Sequence, residues 1–375
     1  MRIVQLANFY SPTSGGLRTT LRSLASEYQS AGHEVVRIVP GDERSSFHDG
    51  TATVVTLPSA RLGGTGYRIV RPGAETDQLL RQLAPDAIEL SDKTTLVGPA
   101  ARQRRHGARV VLLSHERLDA ILRPRVPRGF PLSRSADVWN RRLTRKVDEV
   151  VCASKFAAGE WRRIGASHVN VVPFGVDLDT FTPSTVCGTG ADDRLRLALV
   201  GRLSKEKRPE LAIDTVRLLL ALGMPCVLRV AGTGPMLDEL RTRASGLPVE
   251  FLGHLDGAAA VARLLRESDI ALAPCGVETF GLAVLEAMAC GTPVVAADSG
   301  ALPELVVTGT GLAVAPTDRR FAAAAIELRA QDGAATRLRA RTHAEQFSWT
   351  ATAHRLLDMY SGAPVLESQS SSRSR

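Results

Sequence analysis

Twice along the chain, short β-branched runs alternate with amphipathic stretches of helical length, and this alternation limits the fold more than any other feature. The first series is RIVQLA from Arg2, EVVRIV from Glu34, TVVTL, DAIEL, RVVLLS, EVVCAS from Glu149 and VNVVPF from Val169, with a helix pattern over about 17–31 after the first run. The second is LRLALVG, CVLRVAG, VEFLG, IALAP and PVVAA, each followed by a helix candidate. Strands separated by helices pair through crossovers, which gives parallel sheets covered on both faces. Between the two series, 175–193 contain Pro183 and the run Cys187-Gly188-Thr189-Gly190 and show little periodicity, as a linker does.

The expected fold class is therefore α/β, with two doubly wound, Rossmann-like domains facing across a cleft, and a length of 375 residues suits two domains. The N-terminal domain spans 1–174, the linker 175–193 and the C-terminal domain 194–346. A last amphipathic helix in 347–362 is expected to pack back on the N-terminal domain, and 363–375, which end ESQSSSRSR, form a polar tail expected to be disordered.

Ligands of doubly wound sheets sit beyond the carboxyl ends of the strands. In the second half those ends carry Gly201-Arg202-Leu203-Ser204-Lys205-Glu206-Lys207, Ala231-Gly232-Thr233-Gly234, Gly253-His254-Leu255 and CGVETFGLAVLEAMACGTPVV from Cys275. The last stretch places Glu278 and Glu286 on either side of a helix start at Phe280-Gly281-Leu282. Such a set suits a nucleotide diphosphate sugar. Backbone N–H groups at the helix start bind phosphate, and Arg202 forks onto its oxygens while Lys207 adds a point charge. Glu286 reaches ribose hydroxyls and Glu278 sugar hydroxyls, since a carboxylate accepts several hydrogen bonds at once. Positive charge from side chains and backbone leaves no need for a metal. Asp177-Leu178-Asp179 is accordingly not read as a metal site. The N-terminal Gly15-Gly16 loop precedes a helix and faces the same cleft, but Leu17-Arg18-Thr19 after it break a G-x-G-x-x-G fingerprint, which disfavours an NAD-dependent enzyme.

These motifs in this order resemble the retaining glycosyltransferases of family 4, which have the GT-B fold. The likeness covers nearly the whole chain: the Gly15-Gly16 loop, VPFGVDLDTF from Val172, GRLSKEK, FLGHL, and the two glutamates of an E-x7-E motif. ANFYSPTSGGLRT, SHERLD and APCGVETFGL resemble the actinobacterial GDP-mannose-dependent phosphatidylinositol (dimannoside) mannosyltransferases. Phe174 stands where many relatives have Asn, and Thr20 where a His is frequent. The resemblance implies that the donor binds in the C-terminal domain and the acceptor in the N-terminal one. It also implies that His115, at the end of VVLLSH, contacts the donor sugar near the reaction centre. The implied reaction is transfer of mannose from GDP-mannose to a phosphatidylinositol mannoside with retained configuration and an α-1,6 linkage, by front-face displacement. The expected donor contacts are Gly16, Arg202, Lys207, Gly253, Phe280, Gly281, Leu282 and Glu286, with His115 and Glu278 at the reaction centre.

Charge and cysteine usage complete the reading. No run of eighteen apolar residues predicts a membrane-spanning helix, and MRIVQLANFY reads as a buried strand rather than a signal peptide. Five scattered cysteines without a C-x-x-C pair suit reduced thiols in the cytoplasm. The net charge of +8 is concentrated in an arginine-rich stretch over 102–146. There AILRPRVPRGFPL interleaves basic with apolar residues. Arg117, Arg123, Arg125 and Arg128, with Ile121, Leu122, Val126, Phe130 and Leu132 as apolar tips, are expected to dock on anionic lipid at the inner face of the plasma membrane. No nucleic-acid partner is expected. Two other readings stay open on sequence: a soluble transferase using a UDP-sugar and a non-lipid acceptor, and a non-catalytic nucleotide-sugar-binding protein.

Overall fold

The computed structural model describes residues 1–10, 15–62, 67–122, 126, 131–184 and 193–362; the expected tail, Arg123, Arg125, Arg128, and 185–192 of the linker lie outside the described residues. Among these, nine strands form a first sheet: β1 (Arg2–Leu6), β2 (Glu34–Gly41), β3 (Ser45–His48), β4 (Thr53–Leu62), β5 (Tyr67–Val70), β6 (Ala87–Leu90), β7 (Arg109–Ser114), β8 (Glu149–Cys152) and β9 (Val169–Val171). Their order is β3-β4-β2-β1-β6-β7-β8-β9, with β5 paired to β4. The seven strands from β4 to β9 along this path run parallel, and only β3 and β5 join antiparallel, both on β4. The second sheet is wholly parallel. It holds β10 (Leu195–Val200), β11 (Cys226–Ala231), β12 (Val249–Gly253), β13 (Ile270–Ala273), β14 (Val294–Ala297) and β15 (Gly311–Val314) in the order β12-β11-β10-β13-β14-β15.

The buried faces explain why continuous apolar runs become these strands. Ile3, Val4 and Leu6 of β1 and all of Val110 to Leu113 in β7 are buried, as expected where helices cover both faces of a parallel sheet. Three strands escape sequence pattern. β3 (SSFH) is exposed throughout and exists only as an antiparallel edge on β4. β5 folds back on the outer half of β4. β15 is a four-residue run recruited at the far edge by β14.

The chain crosses between the domains twice, and the crossings lie side by side. Val176 bridges Ser348, and its N–H donates to the Phe347 carbonyl at 3.1 Å. At Gly175 a Cβ would stand 2.1 Å from the Trp349 nitrogen, so the two strands of chain approach this closely only because the residue is glycine. After the second crossing Ser348 caps the helix Trp349–Tyr360 by accepting from the Ala351 N–H. That helix packs against the helix Gly16–Ser30 of the first domain, so its buried Leu356, Met359 and Tyr360 join the N-terminal core.

Candidate active site

In each sheet the strand order reverses once about a central strand, at β1 between β2 and β6 and at β10 between β11 and β13. The crevice beyond the carboxyl end of such a strand is where doubly wound sheets take ligands. Here the two crevices face each other. Gly16 opens the helix after β1, and a Cβ on it would meet the Leu282 side chain at 3.3 Å. Arg202 follows β10; its guanidinium lies 4.7 Å from the Tyr67 ring centroid and donates to the Tyr67 hydroxyl, so β5 of one domain holds a cation of the other.

The loop from Pro274 to Gly281 forms the C-terminal wall. The Glu278 carbonyl accepts from the Ala301 N–H at 2.8 Å. Gly281 then turns the chain with φ 102°, and a Cβ there would stand 2.6 Å from Leu302 Cδ2, which reserves the position for glycine. The helix Leu282–Ala289 starts at this turn. The N–H groups of Phe280, Gly281 and Leu282 find no acceptor among the described residues, and with the positive end of the helix they form a place for an anion. The Phe280 ring itself turns away into an aromatic cluster, 5.4 Å from Phe174 and 6.3 Å from Phe347 between centroids.

Lys207, at the end of a short 3-10 turn, places Nζ 2.5 Å from Glu278 Oε2. Burial alone would favour loss of its proton; the Glu278 carboxylate, with Cys275 and Glu206 behind it, outweighs that and raises its pKa, so the ammonium stays charged. One turn into the helix, the Glu286 carboxyl is pushed up to about 8 by burial, and is therefore mostly neutral at pH 7. Burial likewise raises the Cys275 thiol to about 12, against the pull of Lys207, which makes it a core thiol and not a nucleophile.

His115 stands on the opposite wall, at the end of β7. Its Nε2 lies 3.1 Å from Ser91 Oγ and its ring 5.5 Å from Phe174. Burial lowers its pKa to about 4, with the Lys93 ammonium adding to the effect, so the imidazole is neutral near pH 7. Lys93 is itself held by Glu160 at 2.5 Å. The walls touch: Thr279 Oγ1 donates to the His115 carbonyl at 2.5 Å.

Comparison with known proteins places this chain in a family. Residues 14–180 match the model of Glycosyltransferase Family 4, and 194–331 that of Glycosyl transferases group 1. A GDP-mannose-dependent alpha-(1-6)-phosphatidylinositol dimannoside mannosyltransferase of Mycobacterium tuberculosis (strain ATCC 25177 / H37Ra) is 41% identical over 365 residues, 95% of either chain. The chain is a family 4 glycosyltransferase. Its fold is GT-B, as in the sucrose-phosphate synthase of Thermosynechococcus elongatus, with TM-score 0.77 at 20% identity over 96% of this chain and 98% of that one. Anabaena HepE in complex with UDP-glucose gives TM-score 0.73 at 21% identity over 96% of this chain and 100% of that one.

The transferase brings most of the residues singled out from sequence to one cleft: Gly16, His115, Arg202, Lys207, Glu278, Glu286 and the backbone of Phe280, Gly281 and Leu282. Gly253 stands apart. It ends the edge strand β12, two strands from β10, and its carbonyl accepts from the Gly232 N–H at 2.7 Å, which supports the Gly232 turn. Asp177 Oδ1 accepts from the N–H groups of Asp179 and Thr180, a local turn at the first crossing. The arginine patch needs correction at two places. Arg117 is engaged inside the protein, paired with Asp119 through Nε at 3.0 Å and Nη2 at 2.9 Å, and stacked 4.5 Å over Phe156. Leu132, expected as an apolar tip, is buried at the start of the helix Leu132–Thr144. Sequence reasoning missed Tyr67, Thr279 and Glu304. Only Ser154, the helix-capping residue after β8, carried a local signal.

Proposed function

We propose that this transferase moves mannose from GDP-mannose to a phosphatidylinositol mannoside, with retained configuration and an α-1,6 linkage, at the cytoplasmic face of the membrane. The observation that carries the reading is the Lys207–Glu278 pair set beside the open helix start at Leu282 and across from His115, a seat for a diphosphate next to a seat for a hexose. The choice of mannose, guanine nucleotide and lipid acceptor draws on the mycobacterial relative, whose name specifies all three.

On this reading an arriving diphosphate draws the Lys207 ammonium and the Arg202 fork, while the N–H groups at 280–282 take the remaining oxygens. Glu278 then accepts from sugar hydroxyls, and Glu286 from ribose hydroxyls. Neutral His115 offers one hydrogen bond to the sugar without placing a second charge there. The acceptor hydroxyl approaches on the face the diphosphate leaves. As the sugar–phosphate bond breaks, the new glycosidic bond forms and the hydroxyl proton passes to a phosphate oxygen. The protein supplies position and fixed positive charge, and no metal is required.

The membrane side of the reading rests on the helix Leu132–Thr144. Its outer face presents Val138 (48% exposed) among exposed Arg134, Arg141 and Arg142, with Arg145 and Lys146 just beyond, while Trp139 leans to the buried side, its Nε1 donating to the Lys93 carbonyl at 3.0 Å. None of these five cations has an ion-pair partner among the described residues, whereas Asp137 on the same helix is taken by Arg163 at 2.6 Å. Cations near an anionic leaflet gain about 1 kcal/mol each. No described helix is long and apolar enough to cross a membrane.

The test is a radiolabel screen of purified protein with GDP-mannose and UDP-sugars, with phosphatidylinositol mannosides as acceptors, with and without EDTA. Transfer from GDP-mannose that survives EDTA supports the proposal. Transfer only from a UDP-sugar, or only to a water-soluble acceptor, overturns the donor or acceptor assignment. Activity lost with EDTA and restored by manganese or magnesium overturns metal independence.

A further inference from the structure

The loop that carries Glu278 belongs to one domain, yet it is tied to the other as well. Thr279 Oγ1 donates to the His115 carbonyl at 2.5 Å, and the Thr279 carbonyl accepts from Ser154 Oγ at 2.6 Å. Thus the hydroxyl and the carbonyl of the residue next to Glu278 are both bound to the N-terminal domain. Ser154 is at the same time the N-cap of the helix Lys155–Arg162, its Oγ accepting from the Ala157 N–H at 3.0 Å. Two first-turn N–H groups of that helix remain, Lys155 and Phe156. Both are taken by the Glu304 carboxylate of the C-terminal domain, at 2.8 Å and 2.7 Å.

We propose that Thr279 is a positioning residue for transfer, and that Glu304 is the strut that holds it in register. An N-terminal-domain helix whose first amides are capped by a carboxylate of the opposite domain is complete only when the domains meet. The start of a helix prefers an anion, so the Glu304 contact favours the arrangement in which Thr279 reaches the His115 strand end. Through that contact Glu278 and His115, on different domains, are set against the same hexose. The anion seat at 280–282 and Lys207 belong wholly to the C-terminal domain and do not depend on the suture. Nucleotide binding and group transfer should therefore separate. The inference rests on Glu278 contacting the donor sugar.

The test compares Thr279→Val, Thr279→Ser and Glu304→Gln in the full chain. Thr279→Val should lower kcat for mannose transfer about tenfold or more, since displacements near 1 Å cost on the order of a hundredfold. Kd for GDP should stay within about twofold, because the diphosphate contacts are intact, and KM for GDP-mannose should change far less than kcat. Thr279→Ser, which keeps the hydroxyl, should recover most of kcat. Glu304→Gln should lower kcat in the same direction and speed hydrogen exchange at the Lys155 and Phe156 amides. Wild-type kcat in Thr279→Val overturns the proposal, as does a loss of GDP affinity that matches the loss of kcat. Should the wild type prove not to use GDP-mannose, the functional assignment fails on its own. The suture is then decided by exchange: unchanged protection of Lys155 and Phe156 in Glu304→Gln overturns it, and faster exchange there with GDP affinity intact upholds it.

Discussion

Glu286 and Glu278 stand in one motif yet meet different surroundings. Glu286 is raised to about 8 by burial, so near pH 7 it mostly carries a proton. Ribose hydroxyls that donate to it favour the ionised form, so nucleotide binding should expel that proton. GDP affinity should then rise roughly tenfold between pH 6.5 and 8.5, with proton release seen by calorimetry in buffers of different ionisation enthalpy. Glu286→Gln should bind weakly and without this slope. A flat wild-type profile would remove Glu286 from the ribose. Glu278 is tied to Lys207 at 2.5 Å, and the proposed reading puts it on the sugar side. Glu278→Ala should lose at least about a hundredfold in transfer, as for a lost positioning contact, while Kd for GDP moves only a few-fold. Near-normal turnover in a clean preparation would take Glu278 out of the site. Both acids, Lys207 and Arg202 are legible in the sequence because a strand end, a glycine turn and a helix start place them locally. Tyr67, Thr279 and Glu304 are not, because their roles arise from partners across the cleft. Glu304 lies 149 residues from Lys155, and Tyr67 135 from Arg202, so nothing in the neighbouring sequence announces either pair.

At the scale of elements, burial pattern decides what can be read in advance. Strands that sit inside a parallel sheet declare themselves by continuous apolar runs, as β1, β7 and β10 do, whereas β3 has no buried residue at all and β15 buries only its first, Gly311. The arginine-rich stretch shows the same limit on surfaces. Its composition suggests a basic face, but which arginines remain available depends on folding: Arg117 is consumed by Asp119 and Arg104 by Asp148, while the cations on the helix Leu132–Thr144 stay outward. This relocates the expected lipid contact among the described residues to that helix. The transferase should sediment with vesicles containing phosphatidylinositol at low salt and less at high salt, where screening shortens the reach of surface charge. Arg141→Glu, Arg142→Glu and Arg145→Glu together should release it and depress transfer to lipid acceptors, with GDP affinity unchanged because the proposed donor site is in the other domain. Equal sedimentation of wild type and triple variant at low salt would leave the helix a solvated face.

Across the whole molecule, the two-domain plan is legible because the alternation stops and restarts, but how the domains are tied is not. The last helix returns to the first domain and ends on a buried carboxylate. Tyr360 and Tyr28 each donate to Glu89 Oε2 at 2.9 Å, and Gln5 Nε2 donates to Oε1 at 3.1 Å, with Arg37 behind Gln5 at 2.9 Å. Burial raises Glu89 from 4.5 to about 7, against the lowering effect of the tyrosine hydrogen bonds and of Arg37. The sign follows from comparing the two states. Between those values the folded protein keeps a proton that the unfolded chain gives up. The contribution of this group is thus fully present below about pH 4.5, declines as pH rises, and is flat above about 7. Glu89→Gln keeps a neutral side chain of the same shape and titrates in neither state. The stability of the variant relative to wild type should therefore climb by about 3 kcal/mol between pH 4.5 and 7.5, at about 1.4 kcal/mol per unit of pKa difference. Urea unfolding of both proteins across that range measures it directly. A difference that stays constant with pH would mean that Glu89 is ionised in the folded state, with Arg37 as its counter-charge. In that event Glu89→Gln should also loosen the Tyr360 end of the last helix, visible as faster amide exchange over 356–360 at every pH.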